Sequence, residues 1–182
     1  MAKTNVSTGS LVNLKKLDAL IKKADILIVG RESGMTYICN SHWVLRLRLP
    51  EGCSTLTAIF ARLGRMPEDG CALQTRGNNN VTEFALDSLK KFFTGTFYTQ
   101  CHDTHLTEDF KDHELRILLY TDEGEHCYAA IDKRYFDMIN EYARASSQKC
   151  AKSSHVRFTA NYDEVAMILP VNYTGNEYLS RI

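Results

Sequence analysis

The sequence predicts an α+β protein in which antiparallel sheets built from hairpins carry three to four helices packed on them. Residues 115–120 and 126–131 are apolar runs of strand length, and the acidic turn between them contains a glycine, which is typical of a β-hairpin. After Asp132, which can cap a helix, apolar side chains recur at helical spacing as far as Ala143. The predicted building unit is therefore a hairpin with an amphipathic helix laid on one face.

The first third of the chain predicts a helix, an antiparallel meander and a second helix. Asn13 can cap a helix whose apolar face runs from Leu14 to Ala24. The opposite face of this helix carries Lys15, Lys16, Lys22 and Lys23. Three strand-like runs follow, at residues 25–30, 35–39 and 42–49, and alternation in the third predicts one buried face and one wet face. Residues 54–63 again have helical spacing and end at Gly64.

The rest of the chain suggests a single folded unit with one long loop. We expect residues 1–12 to be a flexible tail and residues 13–182 a single α+β domain. The polar residues 65–80 form the longest predicted loop, and they are where a boundary would fall if the domain has two lobes. The remaining predicted elements are a helix over 82–94, a strand over 96–100, a polar connector over 146–154 and strands over 156–160 and 165–171.

Composition excludes a strong overall charge. The 182 residues include 22 basic and 22 acidic side chains, so any attraction to nucleic acid must come from a local patch. No run approaches the roughly 20 apolar residues that span a bilayer, and we expect a cytoplasmic protein with no membrane partner. Wide spacing without a CxxC pair favours reduced thiols over a disulfide framework. The six cysteines are Cys39, Cys53, Cys71, Cys101, Cys127 and Cys150.

The densest group of metal-ligand residue types lies in residues 101–114. Besides Cys101 and Glu114, it contains His102, Asp103, His105, Glu108, Asp109, Asp112 and His113. Imidazoles and carboxylates at this density could hold a divalent ion that activates water, which keeps a metal-dependent hydrolase as an alternative. The spacing matches no known ligand motif, and a solvated acidic loop explains it better. The sequence therefore predicts neither a catalytic residue nor a cofactor.

Charge is distributed unevenly in the second half of the chain. Residues 103–125 contain eight acids against two bases, and the turn of the central hairpin contributes three of these acids, Asp122, Glu123 and Glu125. Residues 133–157 contain six bases against two acids, among them Lys133, Arg134 and Arg144. Such asymmetry favours docking to a charged partner, although an ordinary solvated surface explains it equally well.

Several passages resemble a group of small proteins from phages and mobile elements of gut Clostridia. The passages are DILIVGRESGMTYICNSHWVLRLRLP, YAAIDKRYFDMI and EVAMILPV. The group includes inhibitors of type II CRISPR nucleases of the Cas9 type. The resemblance implies a non-enzymatic protein that binds a guide-RNA-loaded nuclease and blocks target DNA binding or cleavage. In that case Asp122, Glu123 and Glu125 would compete for arginines that normally hold DNA. A phage accessory protein that binds nucleic acid through Lys133, Arg134 and Arg144 is the other alternative.

Overall fold

The computed structural model describes residues 10–77, 80–95, 99–122, 124–147, 155–160 and 163–171, with the side chain of Asp122 left out. The helices are α1 (Leu14–Lys23), α2 (Ser54–Leu63), α3 (Leu86–Lys90), which a 3₁₀ turn at Lys91–Phe93 extends, and α4 (Lys133–Phe136). The strands are β1 (Ile26–Glu32), β2 (Met35–Cys39), β3 (Trp43–Leu47), β4 (Ala72–Arg76), β5 (Thr82–Phe84), β6 (Thr99–Phe110), β7 (His113–Asp122), β8 (Glu125–Asp132), β9 (Arg144–Ser147), β10 (Val156–Thr159) and β11 (Val165–Ile168).

The fold is dominated by one sheet, so the predicted α+β class is wrong. The described strands form a single eleven-stranded antiparallel sheet in the order β5-β4-β1-β2-β3-β11-β10-β9-β6-β7-β8. Helices are few and short, and α3 and α4 contain only five and four residues. The prediction failed because polar residues expected to form loops, including most of 101–114, instead pair as strands. Neighbouring strands are joined by hydrogen bonds between backbone N–H and C=O groups, so strand pairing needs no apolar side chains.

The two halves of the sheet repeat one topology. Strands β1 to β5 lie in the order β5-β4-β1-β2-β3, and β6 to β10 lie in the equivalent order β10-β9-β6-β7-β8. Strand β11 joins the two halves by pairing with β3 on one side and β10 on the other. A helix follows the third strand in each half, α2 in the first and α4 in the second. The architecture is therefore a repeated unit, although the sequence shows no repeat.

One face of the sheet packs against α1 and α2 and forms the main core. Its buried side chains come from both helices and from both halves of the sheet, including Leu17, Ile21, Leu27, Trp43, Leu45, Ile59, Leu118, Ile131 and Phe158. Strands β3 and β8 lie six positions apart in the sheet order, yet His42 beside β3 stacks on Tyr135 beside β8, with ring centroids 5.6 Å apart. The sheet must therefore curve strongly, so that α1 lies close to both halves.

The opposite face of the first half is covered by α3. Leu86 and Leu89 pack there on Ala72, Val44 and Met167. Strand β3 consequently buries both faces, and Val44 is 2% exposed, whereas alternation had predicted one wet face.

Residues 115–131 were predicted correctly as a hairpin, which β7 and β8 form in register.

The helix predicted after Asp132 ends early. Asp132 caps it as expected, because its side chain accepts a hydrogen bond from the Arg134 amide, but the helix stops at Phe136. Ile139 forms an antiparallel bridge with Val12, and the Asn13 amide donates to the Met138 carbonyl at 2.7 Å. Tertiary pairing with the segment before α1 thus overrides the helical period.

Candidate functional site

Helix α1 carries a lysine-rich solvent face, defined here as the lysine face: Lys15, Lys16, Lys22 and Lys23. All four residues are exposed, whereas Leu17 and Ile21 on the other side of the helix are fully buried. The side chain of Asn13 caps the helix by accepting a hydrogen bond from the Lys16 amide at 3.2 Å. The 3.6-residue period therefore gathers the four ammonium groups on one side.

The lysine face is not neutralised by the described part of the chain. No carboxylate in the described ranges lies within 4.0 Å of any of the four ammonium nitrogens. The single acid of α1, Asp18, is buried and accepts a hydrogen bond from the Thr55 hydroxyl at 2.5 Å. Lys15 and Lys16 also lie in the first turn, where the helix dipole disfavours positive charge. The face is thus a local cationic surface on a chain of zero net charge.

The position of α1 is fixed by contacts with α2. The Arg62 guanidinium donates to the Lys22 carbonyl at 3.1 Å and to the Ala24 carbonyl at 2.8 Å, which satisfies two carbonyls at the end of α1. It also donates to the Gly77 carbonyl at 3.0 Å. Together with the hydrogen bond between Thr55 and Asp18, these contacts make the lysine face part of a rigid surface.

A cleft of about 490 Å³ opens beside the lysine face, between α1, the β2–β3 turn and α4. Its lining includes the cations Lys16, Lys23 and Arg134 and the rings of His42 and Tyr135. The two acids that line the cleft each contact a cation: Asp25 lies 3.9 Å from Arg76, and Asp137 lies 3.0 Å from Lys133. The cleft therefore combines aromatic surface with ammonium groups that are not neutralised by described carboxylates, a combination suited to an anionic aromatic ligand.

The predicted basic patch does not form a free cationic surface. Lys133 lies 3.0 Å from Asp137 and 3.7 Å from Glu114, and Arg134 lies 2.5 Å from the buried Asp132. Carboxylates thus partly cancel both charges. Arg144 is exposed at the start of β9. Among the three residues of the patch, only Arg134 lines the cleft.

The acids of residues 103–125 are divided between two ends of the sheet. Asp122 ends β7 and pairs in register with Glu125, which begins β8 and is exposed. Glu123 lies outside the described residues. Asp109 and Asp112 are exposed near the β6–β7 turn, at the other end of the ten-residue β7 and therefore about 30 Å away. Gly124 and Glu125 are thus exposed at a hairpin tip that lies apart from Asp109 and Asp112.

The residues of the 101–114 group are spread along β6, its turn and the start of β7. Side chains alternate between faces along β6, so that Cys101 is buried and His102 is exposed. Across all described residues, no three His, Cys, Asp or Glu side chains are grouped so that they could hold a metal ion. Asp103 contacts Arg116 instead, and the guanidinium and carboxylate form two hydrogen bonds of 2.7 Å. The described geometry therefore gives the hydrolase alternative no supporting cluster.

The described cysteines are free thiols, and Cys150 lies outside the described residues. Burial raises the pKa of the Cys39 thiol to about 12 and that of Cys101 to about 12 as well. A thiol with such a pKa stays protonated at neutral pH and is a poor nucleophile. The adjacent Cys101 and His102 therefore do not form an activated pair.

The contact between Asp103 and Arg116 should make stability depend on pH. Partial burial of Asp103 acts to raise its pKa, but the hydrogen bonds from Arg116 and the His105 amide outweigh burial and hold the pKa below its ordinary value. The stabilisation is therefore present above the unfolded pKa of about 3.9 and is lost as the pH falls through the lower folded value. Replacing Arg116 with glutamine should cost about 1 kcal/mol at pH 7. The cost should be smaller at about pH 3, and urea unfolding of both proteins at the two pH values measures it.

The exposed Arg65 provides the control for this experiment, because Arg65→Gln removes a charge without a described carboxylate partner. Any difference that persists at low pH for Arg116→Gln reports the contacts that do not need an ionised Asp103. These are the hydrogen bond to the His105 carbonyl at 3.2 Å and packing on Phe136, whose ring centroid lies 5.4 Å from the guanidinium carbon. A cost that is the same at both pH values would contradict the proposed contribution of Asp103 ionisation.

Comparisons with known proteins give no family for this chain. No protein-family model matches it, and no curated protein matches it significantly. No helix in the described ranges is both long and apolar enough to cross a membrane.

The sequence analysis found the lysines of α1 but did not identify them as a candidate binding surface. The signal available was the presence of four lysines and a single acid within the ten residues of α1.

Proposed function

We propose that this chain is a non-enzymatic protein that binds nucleic acid in the cytoplasm of a bacterial host cell, with phosphate groups contacting the lysine face of α1. The observation that carries the proposal is four exposed lysines on one helix face without a described carboxylate within 4.0 Å. Phosphate contacts of this kind release condensed counterions, and this release provides sequence-independent affinity.

An ordinary solvated surface would have a different composition. Such surfaces usually intersperse both signs of charge, and acids are favoured in the first turn of a helix. The first turn of α1 contains no acid and contains Lys15 and Lys16. The contacts of Arg62 with α1 also hold the face in place before any ligand binds. These features favour a surface that binds polyanions.

The test replaces Lys15, Lys16, Lys22 and Lys23 together with glutamine, which preserves helix propensity and removes four charges. We expect affinity for nucleic acid to fall about tenfold or more at moderate salt. The slope of log K against log salt should become shallower by up to about 3. Fluorescence anisotropy with labelled oligonucleotides at about 50 and about 200 mM salt measures both quantities.

A matched control removes the same number of charges from exposed and scattered positions, namely Arg31, Arg65, Lys91 and Lys111, each replaced with glutamine. If net charge alone governs binding, both variants will weaken it equally and the proposal for the lysine face fails. Absence of nucleic-acid binding by the unmodified protein would also overturn the proposed function.

A second candidate is the inhibitor of a guide-RNA-loaded Cas9-type nuclease that the sequence resemblance implies. The observation that favours it is the exposed position of Glu125 beside the tip of the β7–β8 hairpin, where Gly124 adopts a φ of +89°. A hairpin tip can enter a groove, and Asp122, Glu123 and Glu125 could replace phosphate against nuclease arginines. Neutralising all three acids should then weaken binding to the loaded nuclease and leave binding to bare DNA unchanged. Undiminished nuclease binding would remove this candidate.

A further inference from the structure

Three side chains at one wall of the cleft form a stack. The rings of His42 and Tyr135 have centroids 5.6 Å apart and an interplanar angle of 18°. The guanidinium carbon of Arg134 lies 5.6 Å from the Tyr135 centroid. His42 is exposed, and this stack occupies one face of its ring. Planar groups arranged in this way can be extended by another planar group.

Asp132 holds Arg134, one member of the stack, in place. This carboxylate is only 6% exposed, and it accepts hydrogen bonds from Arg134 Nε at 3.0 Å and from Arg134 Nη2 at 2.5 Å. It also caps α4 through the Arg134 amide at 2.9 Å. One buried group thus fixes both the start of α4 and the guanidinium beside Tyr135. The guanidinium of the stack is therefore positioned before any ligand binds.

Ammonium groups lie beside the stack in the same cleft. Lys16 and Lys23 belong to the lysine face and also line the cleft, together with the apolar side chains of Leu20 and Ile26. Its volume of about 490 Å³ falls within the range typical of small-molecule sites. A ligand that satisfies both parts of the cleft needs a flat ring and a phosphate group.

We propose that this cleft binds one unpaired nucleotide unit, whose base stacks on the outer face of His42 and whose phosphate contacts Lys16 and Lys23. This inference rests on the proposed nucleic-acid binding and makes it more specific. The nucleotide unit can belong to a single strand or be a free nucleotide, because both have the same base and phosphate chemistry. The bases of a duplex are stacked on one another and cannot reach His42. The cleft therefore selects single strands over duplexes.

Two substitutions of His42 test the subsite. His42→Ala removes the stacking surface, and we expect about a tenfold loss of affinity for a single-stranded oligonucleotide with no change for a duplex of the same sequence. His42→Phe keeps a planar ring and should restore most of the single-strand affinity. Anisotropy measures binding of both oligonucleotides, and ATP added as a competitor shows whether a free nucleotide can occupy the same subsite.

The outcomes separate the subsite from the proposed function. If His42→Ala leaves single-strand affinity unchanged while the lysine variant loses it, the nucleotide subsite is overturned and binding by the lysine face stands. If the unmodified protein binds neither oligonucleotide nor ATP, both proposals fail. Equal loss for single strand and duplex would also overturn the subsite, because stacking predicts a difference. Competition by ATP that depends on His42 would support the subsite with a free nucleotide as its ligand.

Discussion

Replacing Gly30 with alanine should lower the free energy of unfolding by about 2 kcal/mol, because the added methyl group overpacks the interface between β1 and α3. A Cβ atom at Gly30 would lie 2.5 Å from Leu86 Cδ1 and 3.2 Å from Ala72 Cβ. Ala72 is directly opposite Gly30 in the β1–β4 pairing, so its Cβ cannot move without shifting the sheet. Urea unfolding of the single variant measures the loss.

A double-mutant cycle with Leu86→Ala isolates the cause. Leu86 is 8% exposed, so Leu86→Ala costs stability by itself. The same substitution removes Leu86 Cδ1, the atom nearest to the new methyl group at position 30. The double variant should therefore lose less than the sum of the two single losses. Strict additivity would show that overpacking against Leu86 is not the cause. Small residues at positions 30 and 72 are thus what allows α3 to lie close to the sheet.

The elements that could be predicted from sequence are those that local side chains determine. Asn13 caps α1 as its position before a periodic run indicates, and Gly64 ends α2 with a φ of +69°. The hairpin of β7 and β8 follows from two apolar runs and a turn glycine, all within twenty residues. In each case the signal and the structure occupy the same short stretch.

The elements that were missed depend on partners distant in sequence. Strand β6 is polar, yet it pairs with β9 through residues 99–101 and with β7 through residues 102–103 and 107–110. Strand β4 lies within the predicted loop 65–80 because it pairs with β1. Side-chain periodicity reports burial on one face and carries no information about which backbone provides a ladder partner. The fold class was wrong for this reason.

Only part of the candidate site could be predicted from the sequence. The lysines of α1 follow from helical spacing, but the cleft joins α1 to the β2–β3 turn and to α4. His42 and Tyr135 are distant in sequence, and no local pattern indicates that their rings stack. Their contact depends on the curvature of the sheet, which brings two strands six positions apart in the sheet order close together.

Replacing Glu164 with alanine should cost about 3 kcal/mol of stability, because it leaves one buried and one partly buried backbone amide without their acceptor. Glu164 is 6% exposed, and its two carboxylate oxygens accept hydrogen bonds from different segments. Oε2 accepts from the Leu11 amide at 3.2 Å, and Oε1 accepts from the Arg48 amide at 3.2 Å. Urea unfolding gives the total cost, and amide hydrogen exchange at Leu11 and Arg48 shows whether the loss is located there.

The glutamine variant distinguishes lost hydrogen bonds from lost packing. Glu164→Gln has nearly the same volume but offers one oxygen and one NH₂ group, so one of the two backbone amides would face a donor instead of an acceptor. We therefore expect Glu164→Gln to lose at least half as much stability as Glu164→Ala, with faster exchange at one of the two amides. A glutamine variant as stable as the unmodified protein would contradict this account.

Loss of the hydrogen bond between Glu164 and Leu11 should also affect the candidate site, because Leu11 lies three residues before the start of α1. The segment before α1 is also held by the hydrogen bond from the Asn13 amide to the Met138 carbonyl, and Leu11 is fully buried. If Glu164 helps to set the position of α1 against α4, the alanine variant should weaken binding of single strands more than binding of duplexes. In the proposed binding mode a duplex contacts only the lysine face, whereas the nucleotide subsite also needs His42 at a fixed position relative to α1. Equal weakening of both would show that Glu164 acts on global stability alone.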